Sequence, residues 1–223
     1  SNDYFDHLSG NDEINTEFVR PFSGGSRLIQ QGVLQPWQVL TAALLFFTLG
    51  GLIGLYLTFT RGIVVLFIGL IGGLSGFFYT SPPLRLVATG FGEFIVGLNF
   101  GLLATLGAYY VQTQQLSWEP VLAAVPVALL IAAVLYINQF PDYQADKAVG
   151  KDNLVVRLGR GKAAFGYLIL IAAFFIATPL FVVFRLISPF NLLIFLVLPR
   201  ALRAVRLALA KFDQRLYLMP ANA

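Results

Sequence analysis

Long uncharged runs alternate along the chain with short polar connectors. Residues 28–60, 62–84, 94–118, 120–141 and 163–184 contain no Asp, Glu, Lys or Arg, and each run reaches 22 residues or more. About 20 apolar residues of helix cross the hydrocarbon layer, so each run predicts a transmembrane helix. A sixth is expected over about 186–207, where Arg200, Arg203 and Arg206 fall in the half that approaches the membrane surface. Pro82 and Pro83 break the second run after Tyr79. Pro141 is expected to close the helix that starts near 120, because the residue before a proline is pushed away from the α region. Gly69, Gly72, Gly73 and Gly76 form a candidate helix-packing face, since small residues let helix backbones approach closely in lipid.

Composition sharpens this pattern. Hydrophobic residues make up 57% of the 223 positions and charged residues only 12%, against about 25% charged in an ordinary soluble domain. A soluble globule and a disordered chain are both excluded, and with no cysteine there is neither a disulfide framework nor a thiolate metal site. The expected architecture is an all-α polytopic membrane helical bundle formed by a single domain. The net charge of +4 is a matter of topology, with no nucleic-acid partner implied. Placing 1–37, 80–92, 138–162 and 200–223 on one side gathers 13 of the 15 Lys and Arg there and leaves only Arg61 and Arg185 opposite. The positive-inside rule makes the crowded side cytoplasmic. Nine of the eleven acids fall in these segments and Glu93 borders one of them, which leaves Glu119 opposite.

Two acidic clusters stand out at this surface. The first is Asn2-Asp3-Tyr4-Phe5-Asp6, continuing through His7 to Asp12 and Glu13. The second runs from Asn138 through Asp142 to Asp146, followed by Lys147 and Lys151. Asn2 and Asp6 are four apart, as are Asn138, Asp142 and Asp146, so on helices each set shares one face. Carboxylate oxygens suit hard cations, and Mg²⁺ binds through one or two carboxylates while keeping waters and phosphate oxygens. Two such faces could hold Mg²⁺ on a diphosphate, with Arg20, Arg27, Arg85, Lys147 and Lys151 as candidates to grip its oxygens. Solvated helix ends are the plainer reading of the same residues. His7 has no partner histidine and reads as a loop residue; Phe77, Phe78, Tyr79, Tyr109 and Tyr110 suit interface anchors. Glu93, at the start of a span, is the acid least suited to decoration.

On these residues the chain resembles the UbiA-type intramembrane prenyltransferase superfamily, whose two aspartate-rich motifs look like Asn2 to Asp12 and Asn138 to Asp146. NDYFDHLSGND, YTSPPLRL, GFGEFIVGLNFG, YYVQT and DYQADKAVGKDNLVVRLG make it most similar to the 1,4-dihydroxy-2-naphthoate polyprenyltransferase (MenA) branch. The resemblance implies a UbiA-like fold of about nine helices, of which this chain would carry about six central ones over 1–223. It also implies Mg²⁺-dependent transfer from a polyprenyl diphosphate to an aromatic acceptor in menaquinone synthesis, in a cell (inner) membrane with the site loops cytoplasmic. Asp6, Asp12, Asp142 and Asp146 would hold metal. Asn2, Arg20, Arg27, Arg85, Asn138, Lys147 and Lys151 would bind diphosphate, and Asp6, Asp142, Asp146, Arg85 and Tyr79 would be catalytic. Arg85 stands where the superfamily's loop motif has lysine. Position 10 is Gly and the next Asp is 12, a departure from the wider superfamily's repeat of four that favours the naphthoate branch. Another acceptor, such as 4-hydroxybenzoate, a tetrapyrrole or a lipid, stays open. So does a secondary transporter with broken helices, which would place charges within the spans.

Overall fold

The computed structural model describes residues 1–222, with side chains through Pro220. Two short helices, α1 (Asn2–Leu8) and α2 (Asn11–Ile14), precede a loop that leads into α3 (Pro36–Arg61). α3 and α4 (Val64–Phe77) form a hairpin. A second loop carries a 3₁₀ turn, Leu86–Ala88, and leads to α5 (Gly92–Val96), a π-helical segment Gly97–Leu103 and α6 (Ala104–Thr113), which together make one continuous helix. Next come α7 (Trp118–Ala148), the short α8 (Leu154–Leu158) and α9 (Arg160–Val183). A 3₁₀ stretch, Pro189–Val197, then runs into α10 (Leu198–Lys211), followed by α11 (Arg215–Asn222).

Among the described residues, four helices, Pro36–Arg61, Gly92–Thr113, Trp118–Ala148 and Arg160–Val183, are long and apolar enough to cross a membrane. Two of the six expected spans take another form. α4 has 14 residues, about 21 Å at 1.5 Å per residue, short of the roughly 30 Å hydrocarbon layer. The expected sixth span divides at Leu198 into a 3₁₀ stretch and an amphipathic α-helix. Arg200, Arg203 and Arg206 follow Pro199 at helical spacing on α10, which gives that helix a polar face unlike a lipid-facing span.

The helix expected to stop at Pro141 instead continues to Ala148. Membrane helices tolerate proline where neighbouring groups repack around the lost hydrogen bond. Here Pro141, which removes the donor for the Ile137 carbonyl, is fully buried, and nearby Arg160 on α9 ties the two helices by donating through Nε to the Phe140 carbonyl at 3.0 Å. Close helix approach also occurs away from the expected glycine face. Gly69, Gly73 and Gly76 have nothing within 4 Å, whereas a Cβ on Gly101 would lie 2.5 Å from the Cβ of Ala128. The π segment can therefore lie directly on α7. Its Asn99 donates to Ser75 of α4 at 2.9 Å, a polar tie between apolar helices.

The buried core lies between α7, α9, α10 and α11, with Val19 of the first loop and Val155 of α8 packed into it. Nothing on α3 or α4 is buried, and Phe46 and Phe59 stand 73% and 87% exposed. Such surface suits lipid, which does not penalise it as water does.

Candidate functional site

The two Asn-plus-Asp faces meet. Asn2, Asp6, Asp12, Asn138, Asp142 and Asp146, from the two ends of the sequence pattern, line one cavity of about 200 Å³, together with Tyr79 and Lys151. α1 places Asn2 one turn before Asp6, and its amide donates to Asp6 Oδ2 at 3.0 Å. The continuation of α7 through Pro141 carries Asn138, Asp142 and Asp146 along one face toward the same space.

Three asparagines set the carboxylates. Asn11 and Asn153 each donate to one oxygen of Asp146 at 2.7 Å, and Asn15 donates to Asp142 at 2.7 Å. Asn153 also caps α8, accepting from the Val156 amide at 2.9 Å. A single residue thus starts that helix and fixes the Asp146 carboxylate. Lys151 lies 3.2 Å from Asp6 and 3.6 Å from Asp146, joining the two motifs with side chains mostly shielded from solvent. Burial works against its charge, but Asp6 and Asp146 outweigh that and hold the ammonium pKa above its ordinary value. Asp12 is pushed up to about 7 by burial and by the neighbouring charges of Asp6 and Asp3, against the opposing pull of Arg27 and Lys151.

Asp3 turns away from this cavity to accept from the Ser26 backbone at 3.3 Å and from its hydroxyl. The loop closes on it at Gly25, whose φ of +63° and 3.0 Å clearance from Asp3 to a notional Cβ leave no comfortable place for a side chain. His7 lies in the last turn of α1 and not in a loop, and it pairs with Glu13.

The expected cations divide. Lys151 lines the cavity, and Arg27 lies close enough to Asp12 to favour its charge while stacking 4.3 Å from the Phe18 ring. Arg20, Arg85 and Lys147 do not line it. Arg20 donates to the Ser26 carbonyl at 2.9 Å, Arg85 sits at a left-handed turn with φ +43°, and Lys147 is exposed beside Tyr143. Spacing gives the charge of these residues but not their direction. Asn11, Asn15 and Asn153 carry no such signal, because their partners lie on distant segments.

A second cavity, about 560 Å³ and almost wholly apolar, lies between α5, the π segment, α7 and α9. Glu93 and Tyr136 are its polar wall, next to the first cavity's Gln139 and Tyr79.

Among curated proteins, the chain is 28% identical over 209 residues to 1,4-dihydroxy-2-naphthoate octaprenyltransferase of Bacillus subtilis, covering 92% of this chain and 64% of that protein. It is 32% identical over 204 residues to the protein of the same name from Mycobacterium tuberculosis, covering 92% and 66%. It is 31% identical over 208 residues to 2-carboxy-1,4-naphthoquinone phytyltransferase of Synechocystis, covering 92% and 64%. The chain therefore spans just under two thirds of the length of these relatives. No solved structure matches it. The model of the UbiA prenyltransferase family matches residues 1–215. That match contains both acidic motifs, the segment between them and every residue that lines the shared cavity, and the chain belongs to the UbiA prenyltransferase family.

Proposed function

We propose that this chain is the core of a Mg²⁺-dependent prenyltransferase that moves a polyprenyl group from polyprenyl diphosphate to 1,4-dihydroxy-2-naphthoate, in menaquinone biosynthesis. The observation that carries this reading is the meeting of the two Asn-plus-Asp faces around Lys151 at the end of an apolar bundle. Such an arrangement suits a substrate with an anionic head and a long hydrocarbon tail.

The donor chemistry fits magnesium. Among the described residues, no three acids or histidines are gathered so as to enclose an ion by themselves. Mg²⁺ needs no such cage, since it is commonly bound by one or two carboxylates with water and substrate phosphate completing its shell. Asp6, Asp12, Asp142 and Asp146 would hold it. When bound, magnesium supplies positive charge against the negative charge that gathers on a departing diphosphate. Asn11, Asn15 and Asn153 orient the carboxylates, and Lys151 adds a fixed ammonium beside them. The bundle's apolar walls exclude the water that would compete for an allylic cation.

The names of the three relatives support a naphthalene-type acceptor, while octaprenyl and phytyl leave the tail length to be measured. The assay is prenyl transfer by the complete protein in liposomes with Mg²⁺, a polyprenyl diphosphate and a panel of 1,4-dihydroxy-2-naphthoate and 4-hydroxybenzoate. Naphthoate prenylation that is lost on chelation, and falls at least 100-fold in Asp6→Asn and Asp142→Asn, is the expected result. Prenylation of 4-hydroxybenzoate alone would replace the acceptor. Failure to consume diphosphate with any acceptor would overturn the enzyme reading.

A further inference from the structure

Four polar side chains that the acidic cavity leaves unemployed meet at the wall between the two cavities. Glu93, on α5, is 4% exposed; Tyr136 and Gln139, on successive turns of α7, are 2% and 5% exposed. Glu93 leans on the Gln139 side chain and the Leu154 backbone, and the Tyr79 hydroxyl would lie 3.3 Å from a Cβ on the adjacent Gly92. Yet neither Glu93 oxygen, neither Gln139 amide atom and neither tyrosine hydroxyl completes a well-aligned hydrogen bond. Buried polar groups are almost always paired, because an unpaired one forfeits its hydration with nothing in return. A set of this kind points to a partner that arrives from outside the chain.

The position narrows what that partner is. Tyr79 and Gln139 face the acidic cavity, whereas Glu93 and Tyr136 face the apolar one. An isoprenoid tail would fill the apolar space but has no hydrogen to donate. A diphosphate would set its charge against an almost wholly apolar wall. A flat apolar ring with a hydroxyl satisfies both demands, since the ring takes the apolar wall and its O–H donates to an unpaired Glu93 oxygen. The tyrosine hydroxyls and the Gln139 amide can both donate and accept, so they can pair with a second oxygen on the ring.

The geometry points to a ring-hydroxyl subsite at Glu93, Tyr136 and Gln139 that seats a phenolic acceptor with one edge toward the acidic cavity. This assignment rests on the prenyltransferase reading for its role and on the unpaired side chains for its existence.

The test uses the complete protein in liposomes and reads binding apart from turnover. Calorimetry with 1-naphthol, and with 1-methoxynaphthalene as the blocked control, should show the naphthol binding at least tenfold more tightly. Glu93→Leu should erase that difference, and Tyr136→Phe should reduce it about threefold. In transfer assays, Glu93→Leu should raise the acceptor KM at least tenfold and leave the prenyl diphosphate KM within twofold. Equal binding of the two naphthalenes by the unmodified protein would overturn the subsite, as would a hydroxyl preference that survives in Glu93→Leu. If Glu93→Leu does not yield folded protein, Tyr136→Phe decides by its own threefold criterion. Naphthol binding that depends on Glu93 in a protein that transfers no prenyl group would sustain the subsite and overturn the reaction assigned to it.

Discussion

Asp146 is held by two asparagine amides and an ammonium, and it is 2% exposed. Removing one partner of such a buried network strands the others, at a cost of about 3 kcal/mol. Asp146→Ala should therefore lower unfolding stability in detergent by about that much. Asn153→Ala should be similarly harmful, because it loses the α8 cap together with the carboxylate contact. Asp12 gives a pH dependence of definite sign. Its folded pKa of about 7 lies above the ordinary 3.8, so the proton favours the folded state. That contribution is complete below about pH 4 and is lost as pH rises through 7. In chelator, the melting temperature of the unmodified protein should fall between pH 5 and 8 relative to Asp12→Asn; parallel profiles would contradict this. Asp142 and Asp146 could be found from spacing because a helix turns every 3.6 residues. Asn11 and Asn15 could not, since they are short polar residues whose partners lie more than 120 positions away.

At the scale of elements, glycine matters where helices touch. Gly101→Leu would drive a side chain into Ala128 and separate the π segment from α7, at a cost of about 2 kcal/mol or more. Gly50→Ala and Gly73→Ala meet open space and should be neutral or slightly stabilising, since alanine is the better helix former. Thermal unfolding of the three variants in one detergent checks the contrast. Hydropathy located α3, the continuous Gly92–Thr113 helix, α7 and α9 in the sequence, because uncharged runs of that length have one stable form in lipid. It could not foresee the course of α7 past Pro141, a residue fully buried among neighbouring helices. Nor could it separate α10 from a span, since the apolar stretch Pro189–Val197 runs straight into it, although α10 itself carries Arg200, Arg203, Arg206 and Lys211.

Across the whole molecule, the packed core and the acidic cavity share one end. Residues from Val19 to Met219 converge there, whereas the α3–α4 hairpin contributes no buried residue. The hairpin is joined to the rest through limited contacts with α1, α6 and the π segment, including the Asn99–Ser75 pair. This unevenness sets the order in which the protein comes apart. As SDS is titrated in, spin-label distances from α3 to α7 should broaden before those from α7 to α10, and simultaneous broadening would rule out a stepwise route. The chain lacks cysteine, so labels can be introduced in pairs against a clean background. A protein built this way tolerates a loose flank: the hairpin can drift and return with the surrounding lipid while the acidic cavity stays assembled on the last part of the fold to give way.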